Sequence, residues 1–241
     1  MIIIPAKYSS SRAPQKNFRP FYNGLSLLQI SVIRSVTADI GPVLVSTENI
    51  DFAREQINPL PAAVKKSVSL HKRPLSLAHD PATILDVLVD CLLTSNTNLP
   101  NYISVVLPTS PFNSVSSIQN AHEKFISTAN AEKLISVSPS SKPPYNAWVD
   151  APSTDPDRLE HAFPDSPYAL RQSTSCPMTY FSNGCISIYS VAPLLTDKQF
   201  NSTIGYKMPI LSGIDIDFEH EFDTARLLFP DWSEDLNLFT S

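Results

Sequence analysis

The sequence predicts an α/β protein with a mostly parallel central sheet, and two observations carry that prediction. Short apolar runs of strand length alternate with amphipathic helical segments through the amino-terminal two-thirds of the chain. The first run, Met1 to Ile4, breaks at Pro5 into a polar loop, as a buried strand feeding a βα turn does.

The elements follow in order. Ser26 to Val36 (SLLQISVIRSV) places apolar residues at helical spacing, and Pro42 to Ser46 (PVLVS) is a short strand stopped by Thr47–Glu48–Asn49. Asp51 to Ile57 reads as a brief helix and Ala63 to Leu70 as a weaker strand. Ala82 to Leu93 is an amphipathic helix, with Asp80 as its expected cap ahead of Pro81. Tyr102 to Leu107 is a buried strand ending at Pro108–Thr109–Ser110–Pro111, Ser116 to Thr128 a helix, and Leu134 to Ser138 a strand. Helices are expected on both faces of the sheet, with ligands at the carboxyl ends of its strands. The pattern lapses over 139–176, a stretch rich in proline, serine, aspartate and aromatics that is too long for an ordinary connection. It reads as a flap over the site or an arm that meets another subunit. Regular structure resumes at Tyr180 to Tyr189, and Gly213 to Leu228 gives an acidic strand end and then a helix.

Bulk properties narrow the function. The 241 residues suit one large domain, 1–241, with 139–176 as an excursion. A net charge of −5 leaves no basic stripe for nucleic acid. Cys91, Cys176 and Cys185 fit neither a zinc nor a CxxC pattern, so reduced thiols in a cytoplasmic protein are expected. No apolar run reaches the ~18 residues of a membrane span, and Met1 to Ile4 is too short for a signal peptide. The 22 prolines against 5 glycines mean that stiff turns shape many connections.

The first loop carries Lys7, Ser9, Ser10, Ser11, Arg12, Lys16 and Asn17. Cations and small hydroxyls directly after a buried strand are what phosphate binding asks for; the alternative is a turn whose charges face water. Asp215 and Asp217 flank Ile216, and on an extended chain residues two apart face the same side. Magnesium fits such a pair best, as a hard ion that prefers carboxylate and phosphate oxygens; the alternative is an exposed edge with solvated acids. Glu219, Glu221 and Asp223 read as the acidic first turn of the next helix. Arg73, held before Pro74, is a ligand candidate or one half of a surface ion pair. Asn183–Gly184 reads as a tight turn entering a strand. Arg171 suits a bidentate contact with a carboxylate, or is solvated.

Taken in order, these pieces resemble the acylneuraminate cytidylyltransferase family, the synthetases of CMP-sialic acid and its legionaminic and pseudaminic relatives. The family opens with Pro-Ala-Arg-x-x-Ser-x-x-x-Pro-x-Lys-Asn, and residues 5–17 read Pro-Ala-Lys-Tyr-Ser-Ser-Ser-Arg-Ala-Pro-Gln-Lys-Asn. Asn23–Gly24, the Val45 to Glu48 strand end, Arg73–Pro74 with Ala78–Asp80, and Pro108 to Pro111 follow in the family's order. Arg171–Gln172, Asn183–Gly184 and Ile214 to Asp217 complete the series. The resemblance implies a three-layer Rossmann-like nucleotidyltransferase fold, CTP as substrate, magnesium as cofactor and a homodimer closed by the irregular arm. It implies that Lys7, Ser10, Arg12 and Lys16 hold the triphosphate, with Asn17 and Arg73 near the nucleoside. Asp215 and Asp217 would bind magnesium, Arg171 and Asn183 would contact a nine-carbon 2-keto sugar acid, and Arg12, Lys16 and Asp217 would be catalytic.

The chain departs from the family at Lys7, where arginine is usual, at Leu107 in place of glutamine, and at Phe112–Asn113 in place of Leu-Arg. The phosphate and metal positions survive these changes. The expected reaction is attack of the sugar acid's anomeric hydroxyl on the α-phosphorus of CTP with loss of pyrophosphate, Asp217 being the candidate base. The rival readings are activation of 3-deoxy-octulosonate or a sugar 1-phosphate, and a non-catalytic nucleotide-binding relative.

Overall fold

The computed structural model describes residues 1–95, 98–140, 142–152 and 155–239; Ser141, Ser153 and Thr154 of the irregular stretch lie outside the described residues. The elements run β1 (Ile2–Pro5), β2 (Pro20–Tyr22), β3 (Leu25–Ser26), α1 (Leu27–Thr37), β4 (Val43–Thr47), α2 (Ile50–Ile57), α3 (Ala62–Lys66) and β5 (Val68–Lys72). They continue with α4 (Ile84–Thr94), β6 (Tyr102–Val106), α5 (Val115–Ser127), β7 (Lys133–Pro139), β8 (Trp148–Asp150), β9 (Leu159–His161), β10 (Tyr180–Ser190), α6 (Val191–Thr196), β11 (Thr203–Lys207) and α7 (Glu219–Leu228).

Seven strands form one sheet in the order β11-β7-β10-β6-β1-β4-β5. All pairings are parallel except those of β10, which runs antiparallel to both neighbours. The exception has a topological cause. The chain leaves β7 at the carboxyl edge of the sheet, makes the irregular excursion without a crossover helix, and must return in the opposite direction.

The period-2 geometry of β1 divides the core. Ile2 and Ile4 pack with Leu28, Val32, Ile118 and Phe125 on the face of α1 and α5, while Ile3 packs with Val87, Leu88, Leu92 and Leu194 on the face of α4 and α6. The predicted α/β architecture, a mostly parallel sheet between two helical layers, is the one observed.

Three local expectations are corrected. Ala63 to Leu70 is not one strand: after Pro61 the good helix formers Ala62–Lys66 make a turn and a half of helix, and β5 begins only at Val68. The cap of α4 is Thr83, not Asp80: Thr83 Oγ1 accepts from the Asp86 N–H while the Asp86 carboxylate accepts from the Thr83 N–H at 2.7 Å, a reciprocal capping box. Asn183–Gly184 is not a turn before a strand. It lies inside β10 where the register on β7 shifts between Ser182 and Ser187, a bulge that re-aims the side chains around it.

Candidate functional site

The site forms at the carboxyl edge of the sheet, where the β1–β2 loop, the ends of β4, β5 and β6, the β10 bulge and the segment before α7 meet. The loop contains no glycine, and Gln15 supplies its one left-handed residue at φ 52°. Glu48, just past β4, fixes its first half: Oε1 accepts from the Tyr8 N–H at 2.9 Å, the Ser9 N–H at 2.8 Å and the Ser9 hydroxyl at 2.8 Å. Burial works to raise the Glu48 carboxyl, but the Ser9 donors and the Arg73 charge outweigh it and hold it below the usual carboxylate range. Two backbone donors that the sequence offers to a phosphate are therefore satisfied within the protein. Asn17 is buried and donates to the Lys7 carbonyl at 2.9 Å, which leaves its own Oδ1 buried without a donor. Lys7 and Ser10 are half-buried on the same loop.

The second half of the loop meets the carboxyl-terminal part of the chain. Lys16 Nζ lies 2.9 Å from Asp217 Oδ1 and also donates to the Ile216 carbonyl, while Arg12 Nη2 lies 2.9 Å from Asp217 Oδ2. The Arg12 guanidinium rests 5.2 Å from the Phe218 ring centroid. Glu221 Oε2 accepts from the Asp217 and Phe218 N–H groups at 2.7 and 2.9 Å, so the acid read as part of a helical first turn also anchors the site segment.

Segment 214–217, expected as a strand end, forms no strand; the Ile216 N–H donates to the Thr109 carbonyl of the Pro108–Pro111 turn at 2.8 Å. Ile216 is fully buried. Asp215 packs beside Gly184 (φ +70°), at which a Cβ would stand 3.7 Å from Asp215 Oδ2, 3.7 Å from Ser110 Oγ and 3.3 Å from Leu107 Cδ1. Glycine is thus required twice over, by backbone conformation and by close approach. Asp215 Oδ1 is buried with no hydrogen-bond partner. Burial pushes this carboxyl above the usual range against a hydrogen bond from Thr109; the Asp217 charge adds to the rise and Lys16 opposes it. A surface hollow of about 560 Å³ is lined by Asp215, Asp217, Phe218 and Glu221.

The donor set fits a magnesium ion. Asp215 offers a buried oxygen with no hydrogen-bond partner, two residues from a second carboxylate, and magnesium takes one or two carboxylates with the remainder from phosphate and water. No group of three or more His, Cys, Asp or Glu residues that could hold a metal occurs among the described residues, so phosphate and water would complete such a shell.

Arg73 is buried at the end of β5, donating from Nη2 to the Ser46 carbonyl at 2.8 Å and from Nε to the Ser46 hydroxyl at 3.3 Å. Burial lowers its pKa from the ordinary value and the Glu48 charge opposes the fall. Behind it, His71 Nδ1 lies 3.0 Å from the same hydroxyl and 3.3 Å from Cys91 Sγ, with Asp90 Oδ2 3.0 Å from Nε2. Burial pushes the Cys91 thiol up to about 11 and the Cys185 thiol up to about 12, which removes both as nucleophiles.

Asn183 is buried in the bulge with its amide committed at both ends. Oδ1 accepts from the Ser136 hydroxyl and the Cys185 N–H, and Nδ2 donates to Ser138 Oγ at 2.9 Å. A ligand contact would have to use its second amide hydrogen. Arg171 is exposed on the excursion, its carbonyl held by Asn146 Nδ2 at 3.0 Å. The structure thus joins Arg12, Lys16 and Asp217 directly, sets Asp215 two residues away, puts Asn17 in the β1–β2 loop and Arg73 just past β5, and leaves Arg171 out on the arm. Sequence reasoning missed Glu48 as a site residue; its signal was an acid just past β4, the strand that pairs with β1 and so lies beside the loop it clamps. Phe112, a departure from the expected pattern, is buried at 1 % exposure against Phe229 and Trp232 and serves the core.

Among solved structures, a CMP:2-keto-3-deoxy-manno-octonic acid synthetase complexed with CTP is similar at a TM-score of 0.68 and 14% identity, over 96% of this chain and 98% of that one. A 4-diphosphocytidyl-2C-methyl-D-erythritol synthase from Anaerococcus prevotii follows at 0.61 and 11%, with 95% of each chain covered. A putative glucose-1-phosphate thymidylyltransferase from Bacillus anthracis gives 0.60 and 15%, again over 95% of each. At these identities the likeness is one of fold. No curated protein sequence matches the chain. Residues 1–149 match the cytidylyltransferase family, a span that holds the cation loop, Glu48, Arg73 and the Pro108–Pro111 turn. That match takes in more than half of the 241 residues, and the chain belongs to the cytidylyltransferase family, an enzyme that transfers nucleotidyl groups.

Proposed function

We propose that this cytidylyltransferase couples CTP to a nonulosonic acid, a nine-carbon 2-keto sugar acid, and releases pyrophosphate. The observation that carries the reading is the meeting of Arg12 and Lys16 with Asp217 beside Asp215, whose Oδ1 lacks any donor. Cations for a triphosphate and carboxylates for its metal ion stand together at the edge where this fold binds ligands. Lys7, Ser10, Arg12 and Lys16 would hold the phosphates, and magnesium on Asp215 and Asp217 would offset charge as the bond to pyrophosphate breaks. Arg73 would face the nucleoside, and the buried Asn17 Oδ1 is an acceptor suited to a nucleobase amino group. The anomeric hydroxyl attacks the α-phosphorus, the bond to pyrophosphate breaks, and the hydroxyl proton passes to a base. Asp217 can serve as that base only after Arg12 and Lys16 have turned to phosphate, because both its oxygens are occupied.

Arg171 and Asn183 would bind the sugar acid, with the excursion 139–176 closing over it or over the site of a second copy. The β8–β9 hairpin and its surroundings expose Trp148, Leu159, Phe163 and Leu170, an apolar set that favours a homodimer built on this arm. The whole chain, 1–241, would then act as one nucleotidyltransferase unit of a cytoplasmic enzyme of glycan biosynthesis. Sedimentation of the Trp148→Arg variant as a monomer beside a dimeric parent is the expected outcome, and a parent that sediments as a monomer sinks the dimer.

An eight-carbon 2-keto-3-deoxy acid is the second reading, favoured by the likeness to CMP:2-keto-3-deoxy-manno-octonic acid synthetase. The test is pyrophosphate release from CTP and magnesium against N-acetylneuraminic, legionaminic and pseudaminic acids and 3-deoxy-octulosonate. Release with one nine-carbon acid is expected. Release only with the octulosonate moves the assignment to the second reading, and silence with all four overturns both.

A further inference from the structure

We propose that Asp217 serves the ligand-free protein as an internal anion, holding Arg12 and Lys16 where phosphate would bind, so that this one carboxylate couples triphosphate binding to cation binding. The inference rests on the reading that Arg12 and Lys16 bind the triphosphate.

The geometry is that of a bound oxyanion. Each Asp217 oxygen takes one cation at 2.9 Å, from Arg12 Nη2 and Lys16 Nζ. Lys16 is nearly buried and also donates to the Ile216 carbonyl, so its ammonium is fixed at the Asp217 segment rather than free in the loop. Arg12 is braced over the Phe218 ring, and Glu221 pins the backbone N–H groups of Asp217 and Phe218. The loop is therefore closed onto the carboxylate from both sides.

A triphosphate that takes Arg12 and Lys16 strips Asp217 of both partners. The bare carboxylate then stands beside Asp215, which has an orphaned buried oxygen of its own, and near Glu221. Adjacent carboxylates with no counter-charge are strongly unfavourable. A divalent cation binding alone creates the opposite problem, because it claims Asp217 and leaves Arg12 and Lys16 unpaired. Only when both arrive is every charge matched. The coupling is reciprocal, as any linkage of two ligands through one group must be.

An Asp217 that is simply a metal ligand weakens metal-free nucleotide only by through-space repulsion, as Asp215 does; an Asp217 that competes for the cations weakens it further. Titration calorimetry of CTP without acceptor, in EDTA and in magnesium, separates the two for the parent, Asp217→Asn, Asp217→Ser and the charge control Asp215→Asn, with folding checked by circular dichroism and melting. Asp217 is partly exposed on an irregular segment, and two different replacements guard against a folding artefact. Metal-free CTP should bind both Asp217 variants about tenfold tighter than the parent, the scale of removing one competing charge at close range. The enhancement by magnesium should shrink in the variants, and magnesium's own binding to CTP cancels in that comparison. Folded Asp217 variants that bind metal-free CTP no tighter than Asp215→Asn does overturn the proposal. A parent that binds no CTP under either condition overturns the triphosphate reading on which it rests.

Discussion

Glu48 Oε1 lies 2.8 Å from both the backbone nitrogen and the hydroxyl of Ser9, 39 residues earlier in the chain, and so ties the cation loop to the end of β4. Because the loop lacks glycine and its one left-handed residue is Gln15, its shape depends on such ties. Glu48→Ala removes three hydrogen bonds to charged oxygen. The KM for CTP should rise on the order of tenfold with a smaller change in kcat, the scale of one or two such bonds. The folded carboxyl is held below its unfolded value of 4.5, so its stabilising contribution is present above that pH and is lost as pH falls through the folded value. CTP affinity measured down a pH series should weaken more steeply through that acidic window in the parent than in the variant.

His71 gives a second, separable pH dependence. Burial lowers its pKa from 6.5; the Asp90 charge works against that fall and the Arg73 charge adds to it, with Cys91 and Ser46 its uncharged neighbours. Between the lowered folded value and 6.5 the unfolded chain binds more protons than the fold. Stability is therefore present above the unfolded value and declines as pH falls. Thermal melts from neutral to mildly acidic pH should show a falling Tm that His71→Asn flattens. An unchanged slope in that variant would falsify the assignment.

The carboxyl-terminal segment is latched by Arg34 on α1, buried at 1 % exposure. Its Nε and Nη2 meet Asp235 at 2.8 and 2.9 Å, Nη2 also donates to the Trp232 carbonyl, and Nη1 donates to the Pro111 carbonyl. One guanidinium thus joins the chain end to the turn that carries Thr109 and Ser110. Asp235→Ala leaves that buried charge without its carboxylate and should cost about 3 kcal/mol, a drop in Tm of roughly 6–12 °C for a chain of this size. Denaturant unfolding checks the free energy directly.

The central layers were legible because their signals are local. The apolar runs of β1, β4 and β6 and the helical spacing of α1, α4 and α5 each lie within 13 residues, and Ser26 with Gln29 even closes the capping box that starts α1. What escaped is short or non-local. α3 spans five residues, too few to repeat a helical period, and β11 (Thr203–Lys207) is a half-exposed edge strand with weak apolar character. The antiparallel run of β10 follows from where the excursion ends, which no window of sequence records. The same holds at the site. Sequence placed Lys16 and Asp217 in one constellation, but not that they pair with each other across 201 positions. Phe112, where the family has leucine, fills the core against Phe229 and Trp232, a contact across more than a hundred positions that no local window records.

Asp215 should show function and stability pulling in opposite directions. Its Oδ1 is buried without a donor, and burial with the Asp217 and Glu221 charges outweighs the Thr109 hydrogen bond and the Lys16 charge, so the ligand-free fold carries a carboxylate that it only partly compensates. Asparagine keeps the shape and the acceptor while removing the charge. Asp215→Asn should therefore raise the Tm of the ligand-free protein by a few degrees, on the scale of 1 kcal/mol, while pyrophosphate release falls by at least about a hundredfold. Addition of magnesium and CTP should stabilise the parent more than the variant in the same melt. A variant that melts lower than the parent would mean that the Thr109 hydrogen bond and the Lys16 charge outweigh the cost of burial, and one that keeps its turnover would remove Asp215 from the metal site.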